Sequence, residues 1–201
     1  MFHKEGYKII LITTIAIGIA FIFIDKFVLD EVWNRGISIS LLFVYLFILQ
    51  QFRNPKRNIQ TNSEAIFSPI DGTLTSIEHN YLNASSNNFI KLTFQVSPFN
   101  FHVVRAPLTG KVITNDSSNA FSIEILGTSN DSLKTAISIE SGTFSQNPVL
   151  YPEKNTEIMQ GEEIGFIKFD GKVSMIIPDS INLKVEINDR VKAGEQIIAI
   201  I

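Results

Sequence analysis

Two charge-free apolar runs, residues 9–24 and 36–51, constrain this chain more than any other feature of its sequence. Each holds 16 residues (24 − 9 + 1 and 51 − 36 + 1). As helices they are about 24 Å long, slightly short of a bilayer's hydrocarbon core. Tyr7, Lys8, Lys26 and Arg53 flank them and can snorkel, and Trp33 suits the interface. The pattern predicts a membrane hairpin of two helices over residues 1–52. A signal peptide fits less well, because Asp25-Lys26-Phe27 follows the first run in place of a small-residue cleavage site, and a second run comes soon after. A buried helical pair in a soluble domain would need far fewer apolar residues. Lys4 and Lys8 precede the first run, while Arg53, Lys56 and Arg57 follow the second. The excess of cations outside the connector puts both termini and the C-terminal region on the cytoplasmic side of the cell (inner) membrane. A re-entrant hairpin in one leaflet predicts the same side.

Composition removes several function classes. The sixteen Phe and the mean hydropathy of +0.18 come mostly from the first fifty residues. A net charge of −3 and a pI near 5.6 give no basic field for nucleic acid. The chain has no cysteine, which excludes disulfides and thiolate catalysis. His3 and His79 have no partner at ligand spacing, so no metal site is expected. Residues 53–65 read as a linker that opens with Arg53-Asn54-Pro55-Lys56-Arg57. Arg53, Lys56 and Arg57 are the expected lipid head-group contacts, each worth about 1 kcal/mol against anionic lipid.

From residue 66 to 201 the pattern turns to β. Strand-like runs fall at 89–96, 120–126, 135–140 and 181–187, with turn signals every few residues, which predicts an all-β barrel or sandwich. Three segments share a form: Pro69-Ile70-Asp71-Gly72, Pro107-Leu108-Thr109-Gly110 and, more weakly, Phe169-Asp170-Gly171. The first reads as a turn in which Asp71 bonds nearby backbone and Gly72 takes a positive φ. Asp170-Gly171, between two apolar runs, reads as the tight turn of a β-hairpin. The Asn- and Ser-rich stretches 80–88 and 128–132 read as loops, and 147–155, with two prolines, as irregular.

The order of several motifs resembles the short bacterial phosphatidylserine decarboxylase proenzymes. These are the opening His3-Lys4-Glu5-Gly6, the block F-R-N-P-x-R at 52–57, S-P-x-D-G at 68–72, and S-P-x-x-x-H-V-x-R-x-P at 97–107. Then come Q-G-E-E-I-G-F-I-K-F-D-G-K-V-S-M-I-I-P at 160–178 and V-x-x-G-x-x-I at 191–197. The resemblance implies a β domain related to the biotinyl/lipoyl-type hybrid barrel. It makes Asp71 and His102 inherited catalytic positions, one orienting self-processing and the other a proton donor. Asn100 and Val104 replace the family's usual Asp and Asn.

In that family the chain breaks between a Gly and a Ser. The Ser hydroxyl attacks the preceding carbonyl, the ester eliminates to dehydroalanine, and hydrolysis leaves an N-terminal pyruvoyl ketone that serves as electron sink. Here the cleavage pair is Asp170 and Gly171, and the chain contains no Gly-Ser pair. Gly171 is the position of the missing pyruvoyl serine, so no cofactor is expected. Ser174 lies three residues on, on the opposite strand face. No Arg occurs between Arg105 and Arg190, so the usual clamp for an anionic substrate is also missing.

Three functions follow from the resemblance. The first is a non-processing, catalytically inactive membrane protein linked to phosphatidylethanolamine metabolism. The second is an active decarboxylase, converting phosphatidylserine to phosphatidylethanolamine and CO2 by a variant route. The third is a membrane-anchored carrier or adaptor, for which Lys172 lacks the context of a biotinyl or lipoyl lysine. Membrane phospholipid, an active paralogue or a second copy of the chain are the expected partners.

Overall fold

The second of the two apolar helices starts at a polar side-chain cap, whereas the first starts without one. The structure is a computed structural model and describes residues 2–82, 88–116, 121–128, 133–142 and 147–201. It divides into two units, Met1–Pro55 and Lys56–Ile201. In the first, α1 spans Tyr7–Phe27 and α2 spans Glu31–Gln51. Each has 21 residues, about 31 Å of helix and longer than its charge-free run. The extra turns carry polar residues at helix ends, where they cost little. Asp30 caps α2, its Oδ1 accepting from the Val32 and Trp33 N–H groups at 3.0 and 3.1 Å. Asn34 Nδ2 donates back to the Ile24 and Val28 carbonyls and closes the connector.

No side chain of α1 is buried, and in α2 only Gln51 is. Both helices are long and apolar enough to cross a membrane, and their outward apolar surface suits lipid. Besides the Asn34–Ile24 bond, Thr14 Oγ1 and Tyr45 OH join the two helices at 2.9 Å. The chain start is strapped to the end of α2. The His3 N–H donates to the Phe52 carbonyl at 2.8 Å, and Phe52, 1% exposed, lies where a Cβ on Gly6 would stand. The opening motif and the F-R-N-P block therefore form one local structure.

The second unit consists of antiparallel sheets. In chain order the strands are β1 (Ala65–Phe67), β2 (Gly72–Leu82), β3 (Asn88–Val96), β4 (Val103–Arg105), β5 (Gly110–Asp116), β6 (Ser122–Gly127) and β7 (Lys134–Ser141). Then follow β8 (Val149–Leu150), β9 (Glu157–Ile158), β10 (Glu163–Phe166), β11 (Gly171–Pro178), β12 (Asn182–Leu183), β13 (Arg190–Val191) and β14 (Ile197–Ile200). An eight-stranded sheet has the order β13-β2-β3-β11-β7-β6-β5-β9; two smaller ones are β1-β14-β12 and β4-β10-β8. Alternation along β6 and β7 buries Ile123, Ile125, Ile137 and Ile139, which join Leu92, Phe94, Val173 and Met175 in one core.

Several expectations need correction. Asp170-Gly171 is not a hairpin turn, because β10 and β11 belong to different sheets and segment 167–170 crosses between them. The positive φ falls on Phe169, at +72°. The run 181–187 yields only the two-residue β12; Glu186 to Asp189 form a turn, with the Glu186 N–H on Asp189 Oδ2 and Asn188 at φ +77°. Residues 149–150, expected to be irregular, pair with β10. Much of the expected loops at 80–88 and 128–132 lies outside the described residues.

Gly72 does not take a positive φ either. The three glycines of the repeated form each open a strand, β2, β5 and β11. A Cβ there would meet a carbonyl oxygen of the adjoining strand: that of Gln95, of Leu126 and of Glu140 respectively. The repeat is thus a way of letting two strands approach closely where a turn enters the sheet.

Candidate active site

The turn before β2 fixes Asp71. Ser68, fully buried, donates from Oγ to the Ile70 carbonyl at 2.8 Å and holds the turn closed. Asp71 is 7% exposed. Its Oδ1 accepts from the Ala193 N–H at 2.8 Å, and its Oδ2 from Arg57 Nη2 at 2.5 Å. Arg57 Nη1 reaches Glu195 Oε2 at 3.1 Å, and the guanidinium carbon stands 5.3 Å from the centre of the Phe101 ring. Burial lifts the Asp71 carboxyl above its usual range, outweighing the Ala193 N–H and the Arg57 charge that pull it down. Arg105 is buried alongside, its Nη1 on the Gly161 carbonyl at 2.8 Å and its Nη2 on Glu163 at 3.2 Å. Burial pulls that guanidinium down, against the upward pull of Glu163.

Arg57 was expected at the lipid surface with Arg53 and Lys56. Those two are exposed, but the Arg57 side chain is 9% exposed and holds the Asp71 turn. The sequence showed Arg57 and Asp71 in separate motifs, and nothing in their spacing joins them.

His102 is completely buried between β4 and the crossing segment. Its carbonyl accepts from the Ile167 N–H at 2.9 Å, and its ring lies 6.2 Å from that of Phe166. Nε2 is 2.7 Å from the Phe169 carbonyl oxygen, an acceptor only, so Nε2 carries the proton. That carbonyl belongs to the residue just ahead of Asp170-Gly171. An aromatic residue seldom holds φ +72°, so the backbone is strained at that step. Asn100 does not reach toward the ring: its Oδ1 accepts from Ser97 N and Oγ at 2.9 and 2.8 Å and closes the 97–101 turn.

Gly171 begins β11, flanked by Val96 of β3 and Ser141 of β7, and its carbonyl accepts from Gln95 Nε2 at 3.1 Å. Asp170 lies against Gly142, with Oδ1 buried and without a hydrogen-bond partner among the described residues. Ser174 is 3% exposed, in the middle of β11 between Thr93 and Ser138, with Oγ 3.5 Å from Thr93 Oγ1. Gln95, which sequence reasoning missed, also lines a cleft of about 480 Å3 whose walls include Asp71, Phe99, Asn100, Arg190 and Lys192. Among the described residues no three His, Cys, Asp or Glu side chains are placed to hold a metal ion.

Asp71 and His102 are thus both buried, and the strand entry at Gly171 follows the strained step at Phe169. A family model described as phosphatidylserine decarboxylase matches residues 44–199. The phosphatidylserine decarboxylase proenzyme of Cytophaga hutchinsonii is 28% identical, over 98% of this chain and 97% of its own. That of Amoebophilus asiaticus is 29% identical, over 98% and 95%. That of Desulfotalea psychrophila is 31% identical, over 79% and 83%. The chain belongs to the phosphatidylserine decarboxylase family, along nearly its whole length. That family serves phospholipid metabolism with a pyruvoyl group made from its own chain.

Proposed function

We propose that this protein is a membrane-anchored member of that family that does not process itself and does not decarboxylate. The observation that carries the reading is Gly171. It has no hydroxyl, and the place of its Cβ is filled by the Glu140 carbonyl oxygen, 2.5 Å away. A pyruvoyl group needs a side-chain nucleophile at the strand entry, so these residues do not fit it. Ser174 is no substitute, because both of its neighbouring strands pair with it in a continuous ladder. The β domain in this reading keeps the family's hybrid-barrel architecture, and the retained role is to bind phospholipid. Arg53 and Lys56 serve as head-group contacts, with the β domain on the cytoplasmic side. An active paralogue or a second copy is the protein partner this role allows.

A second reading, an active decarboxylase working by a variant route, is favoured by His102. Its Nε2 still holds the carbonyl next to the cleavage position, and Phe169 is still strained there. Intact mass of the detergent-purified chain separates the two. One species near 22.6 kDa is expected. Two fragments, the smaller beginning near residue 171 or 174 with a blocked amino terminus, would overturn the first reading in favour of the second.

A further inference from the structure

Phe99, 74% exposed, is the most exposed large apolar side chain of the sheet unit among the described residues. It projects from the 97–101 turn, which is closed by the Asn100 N–H on the Ser97 carbonyl at 3.0 Å and by both Asn100 side-chain bonds. It lines the cleft of about 480 Å3 together with Arg190 and Lys192. Both cations are exposed and form no ion pair among the described residues. The one carboxylate in the cleft, Asp71, is already met by Arg57, so the rim is cationic. An aromatic ring beside two unpaired cations suits the head-group layer of an anionic membrane: the ring takes the acyl boundary and the cations take phosphate. Arg57 lies against the ring of Phe101 in the same turn.

We propose that the 97–101 turn docks on anionic phospholipid, with Phe99 in the head-group boundary and Arg190 and Lys192 on lipid phosphates. This contact is additional to the helical hairpin and does not depend on whether the chain is cut. The test uses the full chain in nanodiscs carrying brominated acyl chains. Trp33→Phe removes the only tryptophan, and Phe99→Trp places a reporter on an exposed site that tolerates it. Met159→Trp in the same background reports on an equally exposed site, 71%, outside the cleft. In phosphatidylglycerol discs the Phe99→Trp reporter is expected to shift blue and be quenched at least twofold more than in phosphatidylcholine discs. The Met159→Trp reporter is expected to stay unquenched. Arg190→Glu with Lys192→Glu should reduce the difference between the lipids to nothing without moving the thermal midpoint. Equal quenching in the two lipids, or none at either reporter, overturns the proposal. So does a blue shift that appears only with two chains per disc, which would mark a second copy as the occupant. The intact mass, read on the same sample, reports separately on processing.

Discussion

Arg57 and Asp71 stand 14 residues apart in the chain and 2.5 Å apart in space. Asp71 is recognisable in sequence, because S-P-x-D-G announces a turn with an acid in it. Its partner is not, because a basic collar after an apolar helix has a sufficient explanation in lipid. Burial changes what each can do. Removing one member of a buried pair leaves the other charge without compensation. Arg57→Ala is expected to lose about 3 to 5 kcal/mol in thermal unfolding of the solubilised protein, and adding Asp71→Asn should recover part of it. The pH dependence has a definite sign. The raised pKa means that the folded state holds the Asp71 proton more tightly than the unfolded chain does. Stability therefore falls as pH rises from the ordinary 3.8 through the raised value. Thermal midpoints across acid to neutral pH should show that fall in the natural chain and lose it in Asp71→Asn. A parallel slope in both would refute the assignment.

At the scale of elements, the strand entry at Gly171 joins local code and long-range packing. The apolar alternation of 172–177 identifies β11 without help. The Asp-Gly pair suggested a hairpin because that is its commonest meaning between two strands. The structure uses it to pass from the small sheet of β10 to the centre of the large one, a choice made by partners 30 to 75 residues earlier in the chain. Close approach of β7 explains a glycine there without reference to catalysis, as at Gly72 and Gly110. Gly171→Ser together with Asp170→Gly restores the family's pair in sequence only. The double variant is expected to remain uncut by mass and to unfold with about 1 to 3 kcal/mol less stability, because a side chain must displace the β7 backbone. Efficient cleavage in that variant would show that the remaining machinery is intact.

At the scale of the molecule, two units of different chemistry share one chain: an apolar hairpin whose side chains face outward, and a β unit with its own core. The absence of cysteine makes their placement measurable. Leu29, in the connector and 93% exposed, and Lys154, exposed on the β unit, accept single cysteines. With an impermeant maleimide, Leu29→Cys should label from outside intact cells and Lys154→Cys only after lysis. Protection of both from outside would indicate a re-entrant hairpin. Labelling of Lys154→Cys in intact cells would reverse the orientation.

Sequence by itself determined the features whose cause is local. Hydropathy alone marks a hairpin, because lipid selects every residue in a run at once. Alternation marks strands, because each side chain chooses its face independently. Linear motifs marked the family. Only the tertiary structure decided which sheet each strand joins, that Arg57 belongs to Asp71, and that His102 holds the Phe169 carbonyl. Each of these is a pairing between distant parts of the chain, settled by burial and close approach, and no stretch of sequence contains both partners.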